Sequence, residues 1–164
     1  MNNPTEKMKK LSNIALALTT LFVIGSLTLE GCNKKEAQQP KVSGFFVSGC
    51  NDIVLHRDNE LNDTIYVTAI DDTKLKISTT NTPFSCGVDT IRPEIQTQEQ
   101  NISIELLYED SWADCLCGRH LDIIIENLKT GQTYIVSIKK DERDYFQFEV
   151  TFGPETNLMF VREQ

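Results

Sequence analysis

The sequence is short of the side chains on which most site chemistry rests. Its 164 residues include two histidines, His56 and His120, and one tryptophan, Trp112. Neither histidine has a partner at metal-ligand spacing, so both read as surface residues rather than ligands or bases. There is no glycine-rich phosphate loop, no His-x-x-x-His pair and no Gly-x-Ser-x-Gly elbow. These absences remove the sequence signatures of nucleotide binding, of zinc hydrolysis and of one large class of serine hydrolases. Basic residues are in deficit, with 16 lysines and arginines against 24 aspartates and glutamates and a net charge of −8. Affinity for nucleic acid comes largely from neutralising phosphates, so the charge argues against a nucleic-acid partner. The acidic residues are spread along the chain and read as a solvated surface. Asp71-Asp72 and Asp141-Glu142 lack calcium-loop spacing and read as turns. No catalytic residue, metal ligand or cofactor is expected. Helical spacing is also missing after residue 42. The longest apolar run, Ile14 to Leu29, has 16 residues, against the roughly 20 that cross a bilayer comfortably.

That run has a different use. Lysines at 7, 9 and 10 precede it, and it ends Leu29-Glu30-Gly31-Cys32. A basic stretch, a short apolar stretch and a small-residue end mark an export signal. We therefore expect residues 1–31 to be a signal peptide and Cys32 to open the mature chain. Removing three lysines and two glutamates with the signal leaves a mature chain more acidic still. Leu29-x-Gly31-Cys32 resembles the lipobox of bacterial lipoproteins, although Glu30 is unusual there. The resemblance implies lipidation of Cys32 by a diacylglycerol group, cleavage before it and acylation of the new amine. The membrane, reached through that lipid, is the one expected partner with a stated chemistry; a protein or glycan partner is left open. Asn33 after the cysteine resembles Gram-negative lipoproteins routed to the outer membrane, and the lack of a strong acidic run after it points to the periplasmic side rather than the cell surface. Residues 33–41 are polar, aperiodic and contain a proline, as a flexible tether does.

From Val42 onward the period is two. Residues 42–164 hold about seven to nine short strands at intervals of about 8–12 residues, the pattern of an all-β sandwich. The expected core is Ile65, Val67, Leu75, Ile77, Ile102, Ile104, Leu106, Leu121, Ile123, Ile125, Tyr134, Val136, Ile138, Phe146, Phe148 and Val150. Asp71-Asp72 marks a hairpin turn. Residues 81–87 read as a loop or strand end, with Pro83 barring a central strand position; Pro93 interrupts a weaker strand at 88–96, and Leu158 to Val161 forms an edge. Leu128-x-x-Gly131-x-x-Tyr134 resembles the corner of immunoglobulin and fibronectin type III domains, where a tyrosine hydroxyl bonds back to nearby backbone. The resemblance implies an immunoglobulin-like antiparallel sandwich.

Four cysteines remain: Cys50, Cys86, Cys115 and Cys117. An even number in an exported domain reads as disulfides, with three possible connectivities. Cys115 and Cys117 fall on one face of one strand, too far apart to bridge each other, so each is expected to bond to one of Cys50 and Cys86. Two other uses compete. A zinc site would take all four, but single-residue spacing is tighter than zinc knuckles use. A redox-active Cys115/Cys117 pair needs an exposed, electropositive setting; Arg119 and His120 lie close, but the alternation turns the cysteines inward. Ser85-Cys86-Gly87, Cys115-Leu116-Cys117 and the Leu128…Gly131…Tyr134 turn together resemble small Cys-rich β-sandwich lipoproteins of Bacteroidetes, over about residues 48–140. That resemblance implies a location and a fold, without an activity. The expected function is thus a non-catalytic binding or structural module held at a membrane, with a thiol-disulfide protein as the alternative.

Overall fold

A computed structural model describes residues 38–50, 52–54, 62–109 and 113–162. The signal segment, Cys32, residues 33–37, His56 and Trp112 lie outside the described residues. The described chain is built from ten strands: β1 (Lys41–Val47), β2 (Asp52–Val54), β3 (Asp63–Asp71), β4 (Lys74–Ser85), β5 (Ile91–Gln98), β6 (Asn101–Tyr108), β7 (Leu116–Glu126), β8 (Thr133–Lys140), β9 (Arg143–Thr151) and β10 (Asn157–Arg162). No helix occurs among the described residues. One sheet has the order β1-β7-β4-β3-β10, with β2 also paired to β7, and the other has the order β5-β6-β8-β9. Their inner faces share one apolar core.

Alternation explains the layers. On β7, Leu121, Ile123 and Ile125 are fully buried, and so are Leu75 and Ile77 of β4 and Ile65 and Val67 of β3. The second sheet answers with Ile102, Ile104 and Leu106 of β6 and Val136 and Ile138 of β8. Every expected core residue is buried except Phe146, which is half-buried. A bulge is the reason. Ile138 pairs with Phe146 but Lys139 pairs with Asp144, so Tyr145 is the extra residue on β9. The bulge re-aims the side chains on either side of it. Tyr145 turns inward, and Phe146 packs at the rim against Phe148 and Phe160 at 5.8 and 5.3 Å.

Three expectations are corrected or made precise. First, the sandwich is not wholly antiparallel, because β6 and β8 pair in parallel. Between them the chain crosses to the other sheet as β7 and returns. Two reversals bring it back in its original direction. Second, the loop or strand end expected at 81–87 is a strand end, with Pro83 among the last three residues of β4. β3 pairs with β4 only up to Thr79, so the stretch from Thr82 to Ser85 has β7 alone as its neighbour. Pro83 is there on a local edge, where a missing N–H costs nothing. Pro93 is accommodated likewise on β5, an edge strand. Third, the folded unit begins earlier than residue 42. Lys41 opens β1, Pro40 O accepts from Thr97 Oγ1 at 3.2 Å and Gln39 O accepts from Asn127 Nδ2 at 3.1 Å.

The corner between β7 and β8 forms as its residues imply. The Tyr134 hydroxyl accepts the Lys129 N–H at 2.9 Å, Leu128 is buried, and Gly131 has φ +80°. That left-handed backbone favours glycine. The turn between β8 and β9 has positive φ at both Asp141 and Glu142, as a type I′ hairpin requires. Asp71 Oδ1 accepts from Thr73 N at 2.8 Å and closes the turn between β3 and β4.

Ile123 is fully buried on the strand that lies between β1 and β4. Ile123→Ala should lower unfolding free energy by about 2–5 kcal/mol, read from urea denaturation followed by circular dichroism.

Candidate functional site

The four cysteines meet at one end of the larger sheet. Cys50 bonds to Cys117 and Cys86 bonds to Cys115, with Cα–Cα distances of 5.4 and 5.6 Å. Cys117 is fully buried on β7, where it faces Phe84 of β4. Cys115 precedes the strand and is half-buried, so the two cysteines do not share one strand face as the alternation implied. The Cys86 N–H donates to Cys115 O at 3.1 Å, which sets those two side chains side by side. The bridges close separations of 67 and 29 residues, worth about 3.5–4.5 kcal/mol each in a chain-entropy treatment. Each cysteine of the Cys-x-Cys run is thus committed to a different strand connection.

Beside that end lies a buried polar cluster that sequence reasoning missed. Asp63 is fully buried at the start of β3. Its Oδ1 accepts the backbone N–H groups of Thr80 and Asn81, both at 2.8 Å, and the Thr80 hydroxyl at 3.2 Å. Its Oδ2 accepts from the Thr82 hydroxyl and the Tyr145 hydroxyl, each at 2.8 Å. The register shift between Thr79 and Thr82 makes Thr80 and Asn81 the bulged pair opposite His120. Asp63 therefore satisfies donors that the bulge takes out of the ladder. Gly118 makes room for it, since a Cβ there would lie 1.5 Å from Asn81 Oδ1. Burial, followed by the negative charge of Asp63, pushes the Tyr145 phenol far above its ordinary range and keeps it a donor. The one signal in the sequence was Thr79-Thr80-Asn81-Thr82, four polar residues where alternation fails. Nothing local pointed to Asp63 or Tyr145 as its partners.

The outer face of the same sheet carries the second group of polar side chains. Register aligns Phe46, Asp122, Ser78, Tyr66 and Met159 in one row across five strands. Phe46, Tyr66 and Met159 are 56, 42 and 63 % exposed. Between them the Ser78 hydroxyl donates to Asp122 Oδ1 at 2.6 Å, Lys76 Nζ lies 2.9 Å from Oδ2, and His120 Nε2 lies 3.2 Å from Oδ1. Serine, histidine and aspartate are together, but in the wrong order for nucleophilic catalysis. The hydroxyl points to the carboxylate, while the two imidazole nitrogens face Asp122 and Thr79 O. A serine nucleophile needs the imidazole against its hydroxyl. Partial burial opposes ionisation of Asp122, yet the Ser78 hydroxyl and Lys76 hold its carboxyl below the usual range. His120, read as a surface residue, is half-buried and belongs to this network. Among the described residues no cluster of three or more His, Cys, Asp or Glu could hold a metal ion, and no described helix is long and apolar enough to cross a membrane.

Two measurements follow from these clusters. Asp63→Ala removes the acceptor of five donors, two of them the buried Thr82 and Tyr145 hydroxyls, and should cost at least ~3 kcal/mol, seen as a fall in the urea midpoint. The Asp122 carboxyl is held below its unfolded value of about 3.9. Its contribution is therefore present above pH ~4 and is lost as pH falls through the folded value. Asp122→Asn should lower stability at pH 7 and flatten its decline towards pH 3; an unchanged decline would show that other carboxyls govern it. No family model, curated protein or solved structure matches the chain.

Proposed function

We propose that the protein is an exported lipoprotein, anchored through Cys32, whose sandwich serves as a non-catalytic binding or structural module on the periplasmic side of an outer membrane. The observation that carries this reading is the pair of disulfides, Cys50–Cys117 and Cys86–Cys115. Such bonds persist in oxidising compartments and are rare in a reducing cytosol. They agree with the basic–apolar–small pattern of residues 7–32. They also use the four cysteines to staple strands, which favours a structural role over a Cys115/Cys117 redox pair.

The sandwich is, on this reading, a variant of the immunoglobulin and fibronectin type III arrangement. The Tyr134–Lys129 bond at the crossing from β7 to β8 supports it. The parallel β6/β8 pair is where the variant departs from that arrangement. The row of exposed Phe46, Tyr66 and Met159 around the Asp122 network is the surface offered for recognition. Aromatic and methionine side chains are favoured at recognition surfaces because they give large contact area.

One acyl chain holds a protein at a membrane only marginally, whereas two or three hold it stably. Labelled palmitate should enter the wild type and not Cys32→Ser, and Cys32→Ser should leave the membrane fraction. A Cys32→Ser protein that still sediments with membranes, with no label in the wild type, would overturn the anchor.

A further inference from the structure

The chain has few cations, yet three of them converge on one groove of about 300 Å³ at the end of the sandwich. They are Lys140 at the end of β8, Arg143 at the start of β9 and Arg162 at the end of β10. Lys140 is already engaged, with its Nζ 2.6 Å from Pro83 O and 5.1 Å from the centre of the Phe84 ring. The two arginines differ. Arg162 is held in place: its Nε donates to Tyr145 O at 2.9 Å and its guanidinium carbon lies 4.3 Å over the Tyr145 ring. That ring is itself fixed by the bond from its hydroxyl to Asp63. None of these contacts neutralises the charge. Among the described residues neither Arg162 nor Arg143 forms an ion pair. The Nη1 of Arg162 is buried and has no hydrogen-bond partner. A buried donor without an acceptor is costly, and a charged one more so. Of the two acids on the groove, Asp141 accepts the Tyr108 hydroxyl.

An oriented guanidinium without a counter-ion and a second unpaired arginine on the same groove describe a receptor for an anion. A guanidinium fork matches two oxygens on one carbon or phosphorus. We propose that this groove binds an oxyanion group, a carboxylate or a phosphate monoester, between Arg162 and Arg143. Arg162 meets the oxyanion from its stack on Tyr145 with the part of its guanidinium that lines the groove. Arg143 adds the second positive charge from the hairpin side. Asp144, also on the groove, opposes the ligand and sets a ceiling on affinity. The volume is at the small end for ligand pockets, so the anionic group enters and the body of the ligand stays outside. This site is separate from the outer face of the larger sheet and does not depend on the lipid anchor.

The test is nuclear magnetic resonance titration of the full-length protein in detergent. Sodium acetate and sodium phosphate are the probes, with sodium chloride at matched ionic strength as control. Saturable shifts of the Arg143, Asp144 and Arg162 amides with acetate or phosphate, and none with chloride, are expected. The anion that saturates first identifies a carboxylate or a phosphate ligand. Arg143→Gln should weaken binding at least fivefold, about 1 kcal/mol, without changing the melting temperature, since the Arg143 side chain is exposed. Arg162→Lys keeps the charge but loses the planar group stacked on Tyr145 and should weaken it more. Asp144→Asn should tighten it. Equal shifts with chloride, no saturation below about 100 mM of either oxyanion, far weaker than a millimolar complex, or unchanged affinity in Arg143→Gln would each overturn the site. If Arg162→Lys does not fold, Arg143→Gln and Asp144→Asn decide the question with opposite expected signs.

Discussion

The carboxylate of Asp63 is the constraint on which the connection between the two sheets leans. It sits on β3, receives the backbone of β4 at Thr80 and Asn81, and receives the Tyr145 hydroxyl from β9 in the opposite sheet. Burying a carboxylate is costly unless donors replace the water it loses. Here five hydrogen bonds do so. In return the bulge in β4 is held in one shape. Beyond it the strand carries Phe84 to the core and Cys86 towards Cys115. Tyr145 in turn supports Arg162 from below. A single polar contact thus orders a strand kink, the approach to a disulfide and one side of a groove.

The apolar skeleton was open to reading because it follows a period of two. Ile102, Ile104 and Leu106, or Leu121, Ile123 and Ile125, declare one face each, and pleat geometry does the rest. The Leu128…Gly131…Tyr134 corner was legible for a related reason, since its parts lie within seven residues of one another. Disulfide pairing was legible in part. Adjacent cysteines on one segment rarely bridge, which left two connectivities, and the choice between them depended on the long-range pairing of β4 and β2 with β7.

Two of the features that eluded the sequence involve bulges. A bulge shifts the alternation by one, so Tyr145 goes in and Phe146 moves to the rim, and no local pattern announces it. The same holds for Thr80 and Asn81 opposite His120. The bonds to Asp63 span 17 to 82 residues of sequence, where spacing carries no information. The parallel β6/β8 pair is likewise a property of sheet order, which strand patterns do not encode.

The position of the Cys50–Cys117 bridge has a mechanical consequence. The chain enters the folded unit at β1, whose first residue pairs with Glu126 at the far end of β7 from Cys117. Tension applied at Lys41 would open the β1/β7 ladder one bond pair at a time, as a zip, because that ladder is loaded from its end. Without a bridge the opening could run on through β2, which hangs on the same strand. With Cys50 bonded to Cys117 the peeling stops just past Val47. The bridge works as a stop that limits how much chain a pull on the amino-terminal side can draw out, and the sheets behind it keep their core.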